Sequence, residues 1–158
     1  MQLGIIGLGR MGGNIARRLM LNGHTTVVYD RDEASRSALA KEGSTAVADL
    51  PALVAAMDKP RAVWVMLPAG DPTEETINVL ADLLDADDVI IDGGNTFYKD
   101  DVRRAKALTE KGLHYVDVGT SGGVWGLERG YCMMIGGEAD VVTRLDPLFE
   151  TLAPGYGS

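Results

Sequence analysis

Residues 3–12 read LGIIGLGRMG, an apolar run that leads into the pattern G-x-G-x-x-G at Gly7, Gly9 and Gly12. Apolar side chains then recur at every fourth position from residue 11 to residue 19, which predicts an amphipathic helix. In such a unit the first glycine makes the turn, the second lets a pyrophosphate approach the backbone, and the third lets the helix pack on the strand. Free amide groups at the helix N-terminus would bind the anion. The pattern predicts a dinucleotide site, with a glycine-rich turn that binds no ligand as the alternative.

An acidic residue follows the second apolar run. Residues 25–29 read TTVVY and end at Asp30, 18 positions beyond Gly12. A carboxylate there accepts hydrogen bonds from both ribose hydroxyls of an adenosine, whereas a 2′-phosphate would bring negative charge against Asp30 and Asp32. Arg31 has the opposite effect, because a guanidinium pairs with a phosphate or stacks on adenine. The two carboxylates outweigh one arginine, so we predict that NAD is preferred over NADP.

Composition excludes several classes of protein. The 158 residues are 46% hydrophobic and 24% charged, with a net charge of −8, which predicts one globular domain that does not bind nucleic acid. No stretch approaches the roughly eighteen apolar residues that a membrane span needs. The single Cys132 fits a reducing, cytoplasmic location, and the histidines and cysteine lack metal-ligand spacing. We therefore expect a cytoplasmic protein without a nucleic-acid, membrane or metal partner.

Strand and helix patterns alternate along the chain. Strands are expected at 3–6, 25–29, 62–66, 89–91, 114–118 and 131–135, and helices at 11–19, 32–41, 48–57, 73–84, 100–111 and 139–152. This alternation predicts an α/β fold: a Rossmann-like, doubly wound, mostly parallel sheet in three layers. The turn-rich end APGYGS predicts that residues 1–153 form the dinucleotide-binding domain and residues 154–158 begin a linker.

Glycine, proline and small polar residues follow four of the expected strands, at 7–12, 67–70, 93–96 and 120–123. Ligands of open α/β sheets bind at these carboxyl ends. Asn95 offers a donor and an acceptor to a ribose or substrate hydroxyl, and Ser121 offers a hydroxyl beside two glycines. The alternatives are ordinary glycine-rich turns and an asparagine that holds its own turn. No nucleophile elbow or carboxylate pair is visible, so no catalytic residue is predicted in this chain.

Four segments resemble decarboxylating 6-phosphogluconate dehydrogenase and, more broadly, the β-hydroxyacid dehydrogenase superfamily. They are GLGRMGGNIARRLMLNGH, MLPAG, DGGNT and DVGTSGGVWGLERGYCMMIGG, they occur in the family's order, and the resemblance covers essentially the whole chain. The DGGNT loop favours the phosphogluconate branch over the hydroxyisobutyrate and tartronate semialdehyde branches. The resemblance implies oxidation of 6-phosphogluconate at its C3 hydroxyl and loss of the carboxylate to give ribulose 5-phosphate, a step of the pentose phosphate pathway and of gluconate metabolism.

Motif and resemblance together give the expected site. The predicted cofactor-binding residues are Gly7, Leu8, Gly9, Arg10, Met11, Gly12, Asp30, Arg31, Leu67, Pro68, Ala69 and Asn95, and the predicted substrate-binding residues are Asn95, Ser121, Gly122 and Gly123.

The chain also departs from the family's pattern. Longer members carry Asn-Arg-Thr after the second strand, a sequence that matches a 2′-phosphate, whereas this chain has Asp30-Arg31-Asp32. They carry a glutamate where this chain has Val124. The resemblance places the catalytic lysine and the proton-donating glutamate after residue 158, in or near an all-helical domain to which residues 154–158 would lead. We therefore expect this chain to bind dinucleotide without turnover, and the full-length protein to be a homo-oligomer. The alternatives are a hydroxyisobutyrate-like dehydrogenase and a stand-alone dinucleotide-binding sensor.

Overall fold

Seven strands form one sheet in the computed structural model, which describes residues 1–68, 70–94, 98–121 and 125–154. The strands are β1 Gln2–Ile6, β2 Thr25–Tyr29, β3 Thr45–Ala46, β4 Ala62–Val65, β5 Val89–Asp92, β6 His114–Ser121 and β7 Cys132–Gly136. The helices in the same ranges are α1 Arg10–Leu21, α2 Glu33–Glu42, α3 Leu50–Ala55, α4 Asp71–Leu83, α5 Tyr98–Glu110, α6 Gly126–Arg129, α7 Ala139–Arg144 and α8 Asp146–Leu152. For residues 98–101 only the backbone is described.

The strand order is β3-β2-β1-β4-β5-β6-β7. The chain moves outward from β1 to β3 and then returns to the other side of β1 with β4, so the order reverses between β1 and β4. Strands β1 to β6 pair in parallel, and β7 pairs antiparallel with β6. This arrangement confirms the predicted Rossmann-like, doubly wound, mostly parallel sheet and puts the switch point at the carboxyl ends of β1 and β4.

Helices cover both faces of the sheet. Along β4, Trp64 belongs to a buried cluster with residues of α1, α2, α7 and α8. Its neighbours Val63 and Val65 belong to a second buried cluster with residues of α3, α4 and α5. Successive side chains of a strand point to opposite faces, so the unbroken apolar sequence of β4 reflects burial on both sides. The predicted three layers are therefore confirmed.

The final third of the chain differs from the sequence-based expectation. The helix expected at 139–152 is two helices, α7 and α8, and Pro147 lies in the first turn of the second. Proline has no amide hydrogen to continue a helix but suits its first turn, which explains the break. Strand β7 runs antiparallel because residues 122–131 are too few for the crossover of about a dozen residues that a parallel neighbour needs.

Two short elements were not predicted at all. Strand β3 has two residues and α6 has four, too few for an alternating or helical pattern to be visible in the sequence. None of the helices in the described ranges is long and apolar enough to cross a membrane. The domain boundary at residue 153 stays a prediction.

Candidate functional site

The turn between β1 and α1 has space for glycine alone at two of its three motif positions. Gly7 has a φ of +94°, and an added Cβ would collide with the Met66 carbonyl oxygen. A Cβ on Gly12 would collide with the carbonyl oxygen of Gly7, because α1 begins directly against the turn. The structure thus confirms the predicted turn at Gly7 and the close packing at Gly12.

Gly9 differs from the other two glycines because nothing lies within 4 Å of an added Cβ. It is the exposed N-cap residue of α1, and as a glycine it has no side chain that could accept a hydrogen bond from the first amides of the helix. The first turn of α1 has no acidic side chain, and Arg10 at its start is exposed. The positive end of the helix dipole and its amide groups are therefore open to an anionic ligand.

The Asp30 carboxylate is anchored beside this turn. Its Oδ2 accepts a hydrogen bond from the Leu8 amide at 2.7 Å, and its Oδ1 accepts one from the Asp32 amide at 2.8 Å. An ionised carboxylate has about four acceptor positions, so two remain for ligand hydroxyls. The end of β2 and the glycine turn thus lie side by side.

Two arginines lie near Asp30 along the chain. Arg31 is exposed, whereas Arg36, in the first turn of α2, donates from Nη1 to the Asp30 carbonyl oxygen at 2.8 Å. Arg36 was missed from the sequence because only its position one turn into the following helix places it near Asp30. Arg36 therefore joins Arg31 as positive charge next to the expected ribose position.

A cavity of about 310 Å³ lies at the carboxyl ends of β4, β5 and β6. Thr120 donates from Oγ1 to the Met11 sulfur at 3.2 Å across it. The cavity therefore brings the start of α1 together with the loops after β4 and β5 and the end of β6, and it has a mixed apolar and polar surface. Its lining residues are Met11, Met66, Leu67, Pro68, Gly93, Gly94 and Thr120.

Three predicted residues, Met11, Leu67 and Pro68, thus lie together in the cavity. Ser121 is the exposed last residue of β6, next to the lining residue Thr120, and pairs with Cys132 in the sheet. Met66, which precedes the predicted loop 67–70, was missed, and Thr120, inside the predicted loop 120–123, was not among the predicted binding residues. The remaining predicted residues lie outside the described part of the chain: Ala69, Asn95, Gly122 and Gly123.

One carboxyl group near this edge of the sheet is destabilised in its charged form. Asp117 lies on β6 directly opposite Asp92 of β5. Burial raises the pKa of Asp117, and the charge of Asp92 raises it further.

In the ranges that the structure describes, no three histidine, cysteine, aspartate or glutamate side chains are grouped to hold a metal ion.

Comparison with known proteins identifies relatives over nearly the whole chain. Residues 2–156 match the family model for the NAD binding domain of 6-phosphogluconate dehydrogenase. The NAD-dependent, decarboxylating 6-phosphogluconate dehydrogenase of Haloferax volcanii is 39% identical over 155 residues, which are 98% of this chain and 51% of that protein. The chain therefore spans about half the length of this relative.

Solved structures agree with this relationship. A Plasmodium falciparum 6-phosphogluconate dehydrogenase, solved with NADP+ and with 6-phosphogluconate, superposes with a TM-score of 0.92 at 28% identity, over 99% of this chain and 35% of that one. A Mycobacterium tuberculosis 3-hydroxyisobutyrate dehydrogenase gives 0.88 at 25% identity, over 96% of this chain and 52% of that one.

Alanine substitutions at Gly9 and Gly12 should separate the two kinds of glycine. We expect Gly12→Ala to lower the free energy of unfolding by about 1–3 kcal/mol or more, because the new Cβ has no space. Gly9→Ala should change it by less than about 1 kcal/mol, because the site is open and its φ of −64° suits alanine. Urea denaturation measures both, and equal losses would contradict the proposed difference between the glycines.

Replacing Asp117 by asparagine should stabilise the protein in a pH-dependent way. The pKa of Asp117 is raised in the folded state from its ordinary value of 3.8. The free energy of unfolding therefore falls as the pH rises from 3.8 through the raised pKa, and it stays lower at neutral pH. Asp117→Asn should therefore have the higher free energy of unfolding at neutral pH, and this gain should vanish near about pH 3.

Asp87→Asn is the matched control for this measurement. A hydrogen bond from Arg144, followed by one from His114, lowers the pKa of Asp87, so this substitution should destabilise the protein at neutral pH. Urea denaturation at both pH values distinguishes the two signs. If Asp117→Asn lowers the free energy of unfolding at neutral pH, burial and the charge of Asp92 do not destabilise the Asp117 carboxylate.

Proposed function

The chain belongs to the family of NAD-binding domains of 6-phosphogluconate dehydrogenase, and we propose that it is the cofactor-binding part of an oxidoreductase that oxidises and decarboxylates 6-phosphogluconate to ribulose 5-phosphate. The preferred cofactor in this proposal is NAD. The homologous Haloferax volcanii protein is named as NAD-dependent and decarboxylating, and it supports both the reaction and the cofactor.

The contact between Leu8 and Asp30 carries the proposal. It holds a carboxylate against the turn whose Gly9 backbone is open at the N-terminus of α1. A dinucleotide has an anionic pyrophosphate next to a ribose with two hydroxyls, and these are the groups that a helix N-terminus and a carboxylate bind. We assign the pyrophosphate to the turn and the adenosine ribose to Asp30.

The cavity beyond Met11 is the proposed position of the nicotinamide end. Its mixed lining suits a flat ring with a polar amide substituent, and Leu67 and Pro68 form one wall. When bound there, NAD supplies the hydride acceptor for oxidation of an alcohol. The role that we assign to this chain is to bind and orient that ring. We assign neither the base nor the acid of the reaction to a described residue of this chain.

A small hydroxy acid is the second candidate for the substrate. The TM-score of 0.88 with a 3-hydroxyisobutyrate dehydrogenase supports this reading, and the identity of 39% with a phosphogluconate enzyme supports the first. Cofactor reduction by the full-length gene product with 6-phosphogluconate or with 3-hydroxyisobutyrate decides between them. Reduction with neither substrate would favour a dinucleotide-binding sensor.

The charge at Asp30 should determine the choice of cofactor. Two unit charges 4 Å apart repel by about 4 kcal/mol at an effective dielectric constant of about 20, before salt reduces the effect. We expect NAD to bind at least about tenfold more tightly than NADP, because Arg31 and Arg36 offset only part of that repulsion. Asp30→Asn should narrow or invert the preference, because the amide keeps the shape without the charge. Calorimetric titration with both cofactors measures the ratio.

Asp32→Asn is the control for this titration, since it removes a neighbouring negative charge at an exposed residue that directly precedes α2. It should leave most of the preference for NAD in place. A wild-type preference for NADP would mean that the two arginines govern the site and would contradict the assignment of Asp30.

A further inference from the structure

Three charged side chains form a partly buried row behind the cavity. Asp92, the last residue of β5, is 1% exposed, and Arg104 of α5 is 4% exposed. Arg104 Nη1 lies 3.4 Å from Asp92 Oδ2, while its Nε and Nη2 lie 2.8 Å and 2.7 Å from Glu74 Oε2 of α4. One guanidinium therefore joins carboxylates from two separate elements.

The Asp92 end of this row holds the loop that follows β5. Asp92 Oδ1 accepts a hydrogen bond from the Gly94 amide at 2.9 Å, and its Oδ2 accepts one from the Tyr115 hydroxyl at 3.1 Å. Gly93 and Gly94 line the cavity. The orientation of this carboxylate therefore fixes the backbone of one cavity wall.

The Glu74 end of the row is next in sequence to the residue that holds the loop after β4. Glu74 lies in the first turn of α4 beside Thr73, whose Oγ1 donates to the Pro68 carbonyl oxygen at 2.8 Å. Leu67 and Pro68 form a second part of the cavity lining. The two walls approach closely, because a Cβ added to Gly94 would lie 2.7 Å from the Leu67 carbonyl oxygen.

Stability alone does not account for this arrangement. Apolar residues of similar volume often replace a buried ion pair with no loss of stability. Directional hydrogen bonds, in contrast, fix the relative positions of the groups that they join. A hydrogen bond from Arg103, and further ones from Arg104, lower the pKa of Glu74, so Glu74 is an anion at neutral pH. Glu74 is therefore available as a charged partner for Arg104.

We infer that Arg104 is a positioning residue for the proposed dinucleotide site: through Asp92 and Glu74 it holds the Gly93–Gly94 and Leu67–Pro68 walls at the spacing that the nicotinamide end requires. This inference rests on the proposed function, because it assumes that the cavity receives this end of the cofactor. Arg104 acts through the two loops and does not itself line the cavity.

Binding of NAD and of ADP-ribose to the whole chain tests this role, because ADP-ribose lacks the nicotinamide. Wild-type protein should bind NAD more tightly than ADP-ribose. Arg104→Lys keeps the charge, but a single ammonium cannot span both carboxylates. It should weaken NAD binding about threefold to thirtyfold and leave ADP-ribose binding within about twofold, so the difference between the ligands is lost.

Two further variants complete the experiment. Arg103→Lys alters an exposed pair to the same glutamate and should keep the wild-type difference between the ligands. Asp92→Asn keeps the acceptor for the Gly94 amide but loses the charge facing Arg104. It replaces Arg104→Lys if Arg104→Lys does not fold, and it should likewise weaken NAD binding while leaving ADP-ribose binding unchanged. Calorimetry gives the affinities and thermal unfolding gives the folded state of each variant.

Parallel losses of both ligands, or an unchanged difference in folded Arg104→Lys, would overturn the positioning role. Equal affinities of the wild-type protein for the two ligands would overturn it as well, because the cavity walls would then contribute nothing to binding. Failure of the wild-type protein to bind either ligand would instead reject the proposed function, and the positioning role with it.

Discussion

The hydrogen bond from the Leu8 amide to the Asp30 carboxylate is the contact on which the candidate site depends. It joins the turn after β1 to the end of β2 at 2.7 Å, next to the backbone bond from the Gly7 amide to the Tyr29 carbonyl oxygen at 3.0 Å. A helix N-terminus alone would offer an anion site of no particular specificity. The fixed carboxylate adds a second group at a set distance, and the pair matches the alternating charge and hydroxyl groups of a dinucleotide.

The doubly wound sheet brings the remaining parts of the site to the same edge. Because β1 and β4 are neighbours while their following connections run to opposite faces, a crevice opens between the carboxyl ends of these strands. Met11 lines it from the first turn of α1, and the loops after β4 and β5 form its walls. Those walls are held from behind by the Arg104 ion pairs, so the layer of α4 and α5 contributes to the site without touching its interior.

Local sequence signals predicted the parts of the fold that depend on short-range chemistry. The apolar runs gave β1, β2, β4, β5 and β6, and the motif spacing predicted the turn at Gly7, the contact at Gly12 and the placement of Asp30. The break at Pro147 had a local signal that was not used. The position of Arg104 depends on how α5 packs against the sheet, which no local pattern encodes, whereas the position of Arg36, six residues after Asp30, follows from the start of α2. The roles of Ala69, Asn95, Gly122 and Gly123 stay predictions, because these residues lie outside the described part of the chain.

Titration of the 15N-labelled chain with NAD, followed in 1H–15N correlation spectra, shows most directly where the dinucleotide binds. The largest shifts should occur at the amides of residues 8–13, with a second group at Asp30–Asp32 and a third at Gly93–Gly94. Another cavity, of about 380 Å³, lies between β7 and α8 and is lined by Tyr131 and Phe149 among others. Shifts centred on that cavity, with the amides of residues 8–13 unchanged, would contradict the assignment of the glycine turn as the dinucleotide site.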